Sequence, residues 1–330
     1  MPLTTFDADY KRHVGVRWRG WFDSRGRFQL PWETLSWRTW RPPPCPNLDG
    51  VLWVNAPWHQ PVAGLDVDAE ATALLHSPEW DAPVRTGVGG VSPGNVWGGS
   101  PWQDVTGMPM CTVWETGEAQ GADLMPWVWQ RHEVPLPPVV RRYDDPTGSQ
   151  DVQWVGIDFE RRLMWECGAM RPRPGTSDWV ARGVTVWDLD APWDAGRGGC
   201  TATWLPLVAG IPRAEEFARG HIDHALWFVA DRYRTGEVRW PARATDGNFD
   251  GAPLVAGMRL ALDPAWRPSK PLTRDQETLV EAMRHDTGFG FIVADRTHPE
   301  HGSTMRDAMD PRVLVADLGI HHHDLLVLRS

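Results

Sequence analysis

The chain has 330 residues, a net charge of −10, 42% hydrophobic and 23% charged residues, and 22 tryptophans against 3 tyrosines. That composition is globular and fits one large β domain or two ordinary ones. Its acidity excludes a duplex nucleic-acid binder, which needs a basic footprint.

No window approaches the ~20 apolar residues of a membrane span. The four cysteines, Cys45, Cys111, Cys167 and Cys200, form no CxxC pair, so zinc-knuckle spacing is absent and reduced thiols are the default. MPLTTFDADYKRHVG at the N-terminus has no apolar run after its charges. No signal peptide is therefore expected, and synthesis in a cytoplasm is.

In chain order, Val16, Trp18, Trp21, Phe28 and Leu30 predict a hairpin around Ser24-Arg25-Gly26. RPPPCPNLDG then breaks regular structure and favours an extended polyproline segment. We expect residues 1–45 to be an arm ending in this connector, and 46–330 to be the body. VLWVNAPW, from Val51 to Trp58, predicts a strand. DVDAEATALLHSP predicts a short helix capped by Asp66 or Asp68, with Leu74 and Leu75 turned inward. From Gly87 to Gly121 the Gly, Pro and Ser content predicts a long surface loop, matching no phosphate-binding pattern.

LMPWVWQRHEVP returns to strand character. DVQWVGIDFERRLMWEC predicts a hairpin turning at Phe159 to Arg161, and WVARGVTVWDLD a strand ending near Asp188 and Asp190. In the stretch from Leu205 to Ala242, Pro212 fits the first turn of a helix and Gly220 its left-handed stop. HIDHALWFVA follows as a buried strand carrying His224, which needs a polar partner among apolar neighbours. TRDQETLVEAMRHDTG predicts a helix from Thr273 to Asp286 with a Thr273/Gln276 capping box. FGFIVADRT delivers Asp295 to the end of a strand, and HHHDLLVLRS predicts a terminal strand.

IPRAEEFARGHIDHAL, VRWPARATDG and GMRLALDP carry a resemblance, extended by WVGIDFERRLMWEC and TATWLPLVAGIP before them and GFGFIVADRT after. They resemble a jelly-roll-like β-sandwich family of mostly uncharacterised proteins. Its members occur among secreted bacterial proteins and among minor tail proteins of phages infecting actinobacteria. The similarity covers roughly the last 180 residues. It implies a mainly β fold, a large jelly-roll-like sandwich with one substantial helix and long Trp/Pro/Gly-rich loops, and it implies no reaction.

The expected function is accordingly a phage minor tail protein. It would be a virion component near the tail tip, made in the host cytoplasm, and would act in assembly or host recognition. Other tail proteins, further copies of the chain and host cell-wall glycan are the expected partners, with no cofactor. Trp97, Trp102, Trp127 and Trp193, in loops beside Pro or Gly, are the candidate sugar-stacking residues. For any single tryptophan, pinning a loop onto the sandwich is the simpler role.

The alternative is a polysaccharide hydrolase or lyase using Asp158, Glu166, His224 and Asp295, since such chemistry needs two acids, or an acid with a histidine, converging in a groove. A hairpin-tip role for Asp158 and an ion pair for Asp295 compete with it. Asp246, Asn248 and Asp250 offer oxygen ligands suited to calcium but lack EF-hand spacing, and Asp-Gly turns explain them. His321 and His323 could bind a divalent ion with a carboxylate, against the simpler reading of a solvated turn.

Overall fold

The computed structural model describes residues 48, 50–84, 102–116, 130–137, 154–173, 175–195, 198–199, 201–296 and 318–329, with the backbone of three short N-terminal strands. Those strands are β1 (Phe6–Ala8), β2 (Trp18–Phe22) and β3 (Phe28–Gln29). They form an antiparallel sheet of their own, and the pairing of Trp21 with Gln29 is that of the expected hairpin. The Pro-rich connector, Trp97 and Trp127 lie outside the described residues.

The body continues with helix α1 (Ala69–Leu75) and strands β4 (Trp102–Asp104), β5 (Met110–Glu115) and β6 (Gln130–Pro135). Next come β7 (Trp154–Asp158), β8 (Leu163–Gly168), β9 (Arg171–Pro172), β10 (Trp179–Ala181) and β11 (Gly183–Asp188). Helix α2 (Ala214–Arg219), β12 (Leu226–Ala230), β13 (Arg259–Leu262), helix α3 (Arg274–Met283), β14 (Phe291–Arg296) and β15 (Leu325–Leu328) complete it. The fold is mainly β, consistent with a β-sandwich. Its three four-stranded sheets run β6-β5-β10-β9, β11-β8-β7-β4 and β12-β14-β13-β15. Each contains one parallel pair: β5 with β10, β4 with β7, and β12 with β14.

Alternation along the strands explains how the sheets stack. Trp154, Trp165, Cys167 and Val184 of the second sheet pack with Val113 and Ala181 of the first. Their neighbours Val155, Ile157, Met164 and Trp187 point the other way, toward Trp227, Ile292 and Ala294 of the third. Leu226, Phe228, Phe291 and Val293 then present the far face of the third sheet to Leu75 of α1 and Leu279 and Met283 of α3. Both strands of the middle hairpin are mostly apolar and buried on both faces because both sides are covered, with Asp158 and Glu166 as buried polar exceptions.

The middle core is built from tryptophan. Trp58 makes edge contacts with Trp53, Trp193 and Trp227 at ring separations of 6.1, 5.1 and 5.7 Å. Indole N–H groups tie loops to this core: Trp53 Nε1 donates to Ala191 O at 3.0 Å, and Trp227 Nε1 to Pro206 O at 3.1 Å. The loop-pinning role holds for these residues.

Several local expectations are corrected. Val51 to Trp58 is a run of turns ending in a 3₁₀ turn (Pro57–His59), because its indoles pack in three dimensions rather than on one pleated face. Residues 102–115 of the expected long loop hold β4 and β5. Helix α1 is capped by Asp68 and buries Leu75, but leaves Leu74 40% exposed. Pro212 precedes the helix, whose N-cap is Arg213. Helix α3 stops at Met283, where Arg284 turns extended (ψ 144°), three residues short of Asp286.

Candidate ligand-binding site

The site starts from α2. Gly220 closes this helix at φ 75°, the left-handed conformation glycine adopts without a Cβ penalty. The chain turns back at once through His221–Ala225, so residues eight positions apart come face to face. Glu216 is fully buried, and burial alone would raise its carboxyl. The charge and hydrogen bond of His224 and the Arg213 guanidinium outweigh that and bring it down to about 2.

Its partners are close. Arg213 Nη2 donates to Glu216 Oε1 at 2.5 Å, and Arg213 N to Glu216 Oε2 at 2.8 Å. His224, also fully buried, donates through Nδ1 to Ala225 O at 2.9 Å and points Nε2 at Glu216 Oε1 from 3.2 Å. Both ring nitrogens face oxygen atoms, the Ala225 carbonyl and the Glu216 carboxylate. His224 lies two residues ahead of β12 rather than inside it.

A pocket of about 250 Å³ opens beside this network, lined by Leu48, Leu52, Val54, His59, Arg213, Asp223 and Phe289 among others. Arg213 is 3% exposed, and its Nε and Nη1 have no hydrogen-bond partner among the described residues. Nε faces the Glu215 carboxylate only at ion-pair range, 3.8 Å, and Nη1 is left on the pocket wall as a donor awaiting an acceptor. Asp223 supplies the opposite chemistry: its carboxylate lies 3.4 Å from Arg219 Nη2 and 3.9 Å from Arg213 Nη2, and its side chain is 47% exposed.

His59 Nδ1 donates to Asp223 O at 2.8 Å. Desolvation, with smaller contributions from the charges of His224 and Arg213, lowers the His59 pKa below its ordinary value despite that bond, which leaves Nε2 as an acceptor. Arg259 holds these walls in place. It is 3% exposed on β13 and donates to Pro57 O at 2.9 Å, Gln60 O at 2.8 Å and Phe289 O at 3.1 Å. It thereby fixes both the turn that carries His59 and the backbone of Phe289. Its burial brings the guanidinium pKa down to about 10.

The four proposed catalytic residues do not line this pocket. Asp158 is 2% exposed and its Oδ1 accepts Glu160 N at 3.0 Å and Arg161 N at 2.8 Å, the hairpin-tip role. Glu166 is 0% exposed and accepts Leu207 N at 2.6 Å. Asp295 is buried on β14, opposite Val229 just past the register shift between β12 and β14. His224 adjoins the pocket through Arg213 and Glu216.

Trp102 is 1% exposed and Trp193 8%; both belong to the tryptophan core, so neither presents a free ring face to a sugar. Among the described residues the exposed tryptophans are Trp204, 46% exposed at φ 60°, and Trp240, 55% exposed and edge-on to Trp193 at 6.5 Å. In the calcium candidate, Asp246 accepts the Tyr233 hydroxyl and Asn248 Nδ2 donates to Asp231 O at 3.3 Å, so those groups serve the turn. Cys167 is buried and its thiol is pushed up by desolvation, which makes it an inert core residue.

Sequence reading missed Arg213, His59, Asp223 and Arg259. The signal for Arg213 was present in its i,i+3 spacing to Glu216. The others come together only through the fold. No family model, curated protein or solved structure matches the chain.

Proposed function

We propose that this protein is a recognition component that holds one sugar residue of a host cell-surface glycan in the Arg213–Asp223–His59 pocket. The observation that carries this reading is the buried Arg213 edge without a hydrogen-bond partner beside an acceptor carboxylate. Vicinal hydroxyls donate and accept at once, so a donor guanidinium next to an acceptor Asp223 and an acceptor His59 nitrogen suits them. Leu52, Val54 and Phe289 supply apolar walls for the ring's C–H face. At about 250 Å³ the pocket falls below the roughly 300–1,000 Å³ of drug-sized sites, which fits one ring rather than a chain.

The tail setting rests on the sequence resemblance. In that setting the protein is a minor tail component, with other tail proteins and further copies of itself as neighbours. Mass spectrometry of purified virions tests the setting: peptides of this chain in the tail fraction support it, and their absence contradicts it.

Binding is favoured over hydrolysis because two-acid glycosidase chemistry places two carboxyl groups about 5–9.5 Å apart across the scissile bond. Asp223 is the single carboxylate in the described lining of the pocket. Adsorption of the purified protein to host envelopes, competed by monosaccharides, tests the role.

A further inference from the structure

A second cluster stands apart from the pocket and does not depend on the glycan reading. The 3₁₀ turn His322–Asp324 ahead of β15 packs against the segment that follows α1. His322 N donates to Ala82 O at 2.9 Å, Val84 N to Ile320 O at 2.9 Å, and the buried His322 ring bonds Trp80 O at 2.8 Å. Two backbone segments 242 residues apart are thus held in register. The side chains that meet across the seam are Asp81, His321 and His323.

Each oxygen of Asp81 faces a different histidine. Oδ2 is 3.4 Å from His321 Nδ1, and Oδ1 is 2.9 Å from His323 Nδ1. One ligand atom from each residue lies within 4.8 Å of the other two. The edge of a tetrahedron with ~2.1 Å metal–ligand arms is about 3.4 Å, so small side-chain shifts bring the three onto one ion. His321 Nδ1 is shut off from solvent and makes no hydrogen bond among the described residues. The rings of His321 and His323 stack at 5.4 Å and 29°, and both Nδ1 atoms lie near the Asp81 carboxylate.

We propose that Asp81, His321 and His323 bind a borderline divalent cation, with zinc as the reference ion. Two imidazole nitrogens and one carboxylate suit zinc, nickel, cobalt or copper; calcium and magnesium want oxygen ligands throughout. Three protein ligands leave at least one position for water or an outside ligand. The ion ties the C-terminal strand to the turn after α1, so loading stabilises the fold as well as filling the site.

The test uses the full chain, stripped with chelator and titrated with Zn²⁺ by calorimetry near neutral pH, and with Co²⁺ followed by its visible absorption. The expected result is saturable binding of one equivalent, a tetrahedral cobalt spectrum and a raised melting temperature. Asp81→Asn and His323→Gln should each weaken binding by at least the roughly 10–100-fold that loss of an outer-shell partner costs. Both side chains are partly exposed, at 31% and 53%, so both variants should fold, and circular dichroism checks this. Binding that survives Asp81→Asn unchanged would assign the metal to the histidine run alone and overturn the site. Absence of saturable binding to the wild type overturns it outright.

Discussion

Glu216 and His224 meet at 3.2 Å with neither side chain exposed to solvent, and Arg213 closes the group from the other side. Such a network is costly to break from one end, because the remaining charges stay buried. Glu216→Gln should cost about 3–5 kcal/mol in chemical denaturation, from an uncompensated Arg213 and His224. His224→Gln should cost less, about 1–3 kcal/mol, since an amide can still donate to Glu216.

The same carboxylate predicts acid sensitivity. Its folded value, about 2, lies below its ordinary 4.5, so the ionised form favours the folded state. This contribution is complete above about 4.5 and is lost as pH falls toward 2. It amounts to roughly 3 kcal/mol. Denaturation midpoints measured from pH 6 to pH 2 should fall in that window for the wild type. Glu216→Gln should remove this part of the slope, and an unchanged slope in the variant would count against the assignment.

Arg259 links stability to the pocket. Arg259→Met strips three carbonyls of their donor and should destabilise the protein by several kcal/mol, as loss of a buried charged hydrogen-bond hub does (about 1.5–3 per bond at most). Arg259→Lys keeps the charge but cannot span all three. It should fold and bind ligand more weakly, because the His59 and Phe289 walls loosen. Ligand affinity and melting temperature, measured on the same preparation, separate the two effects.

Close packing at the tryptophan core gives a fourth prediction. A Cβ added at Gly210 would sit 2.0 Å from Trp227 Cδ2, inside the buried indole whose N–H bonds Pro206 and Leu207. Gly210→Ala should therefore destabilise by about 1–3 kcal/mol or more through overpacking. Thermal melting with near-ultraviolet circular dichroism reads it, and an unchanged melting temperature would contradict the packing described.

Local signals were legible in the sequence wherever one segment decides its own structure. The Thr273/Gln276 box caps α3 as expected, with Thr273 N donating to Gln276 Oε1 at 3.0 Å and Gln276 N to Thr273 Oγ1 at 3.3 Å. Gly220 ends α2, and the β7–β8 hairpin turns where Phe159 to Arg161 predicted. What was not legible depends on distant partners. Val51 to Trp58 has a strand's composition but is recruited into a tryptophan core. His59 finds the backbone of Asp223 across 164 residues, and His323 finds Asp81 across 242. Arg259 reads as an ordinary residue of an apolar strand, since nothing local shows the three carbonyls it serves.

The central claim is that the Arg213–Asp223–His59 pocket binds a sugar ring, and a glycan array probed with purified wild type, Asp223→Ala and His59→Ala tests it most directly. Both substitutions remove pocket groups while leaving the Glu216–His224–Arg213 network in place. The account predicts wild-type binding to a defined set of host-type glycans. Each variant should lose at least about tenfold in affinity, the equivalent of one hydrogen bond of roughly 1.4 kcal/mol, with its melting temperature nearly unchanged. Equal binding by all three proteins, or binding abolished only by Trp204→Ala and Trp240→Ala on the exposed aromatic surface, would contradict it.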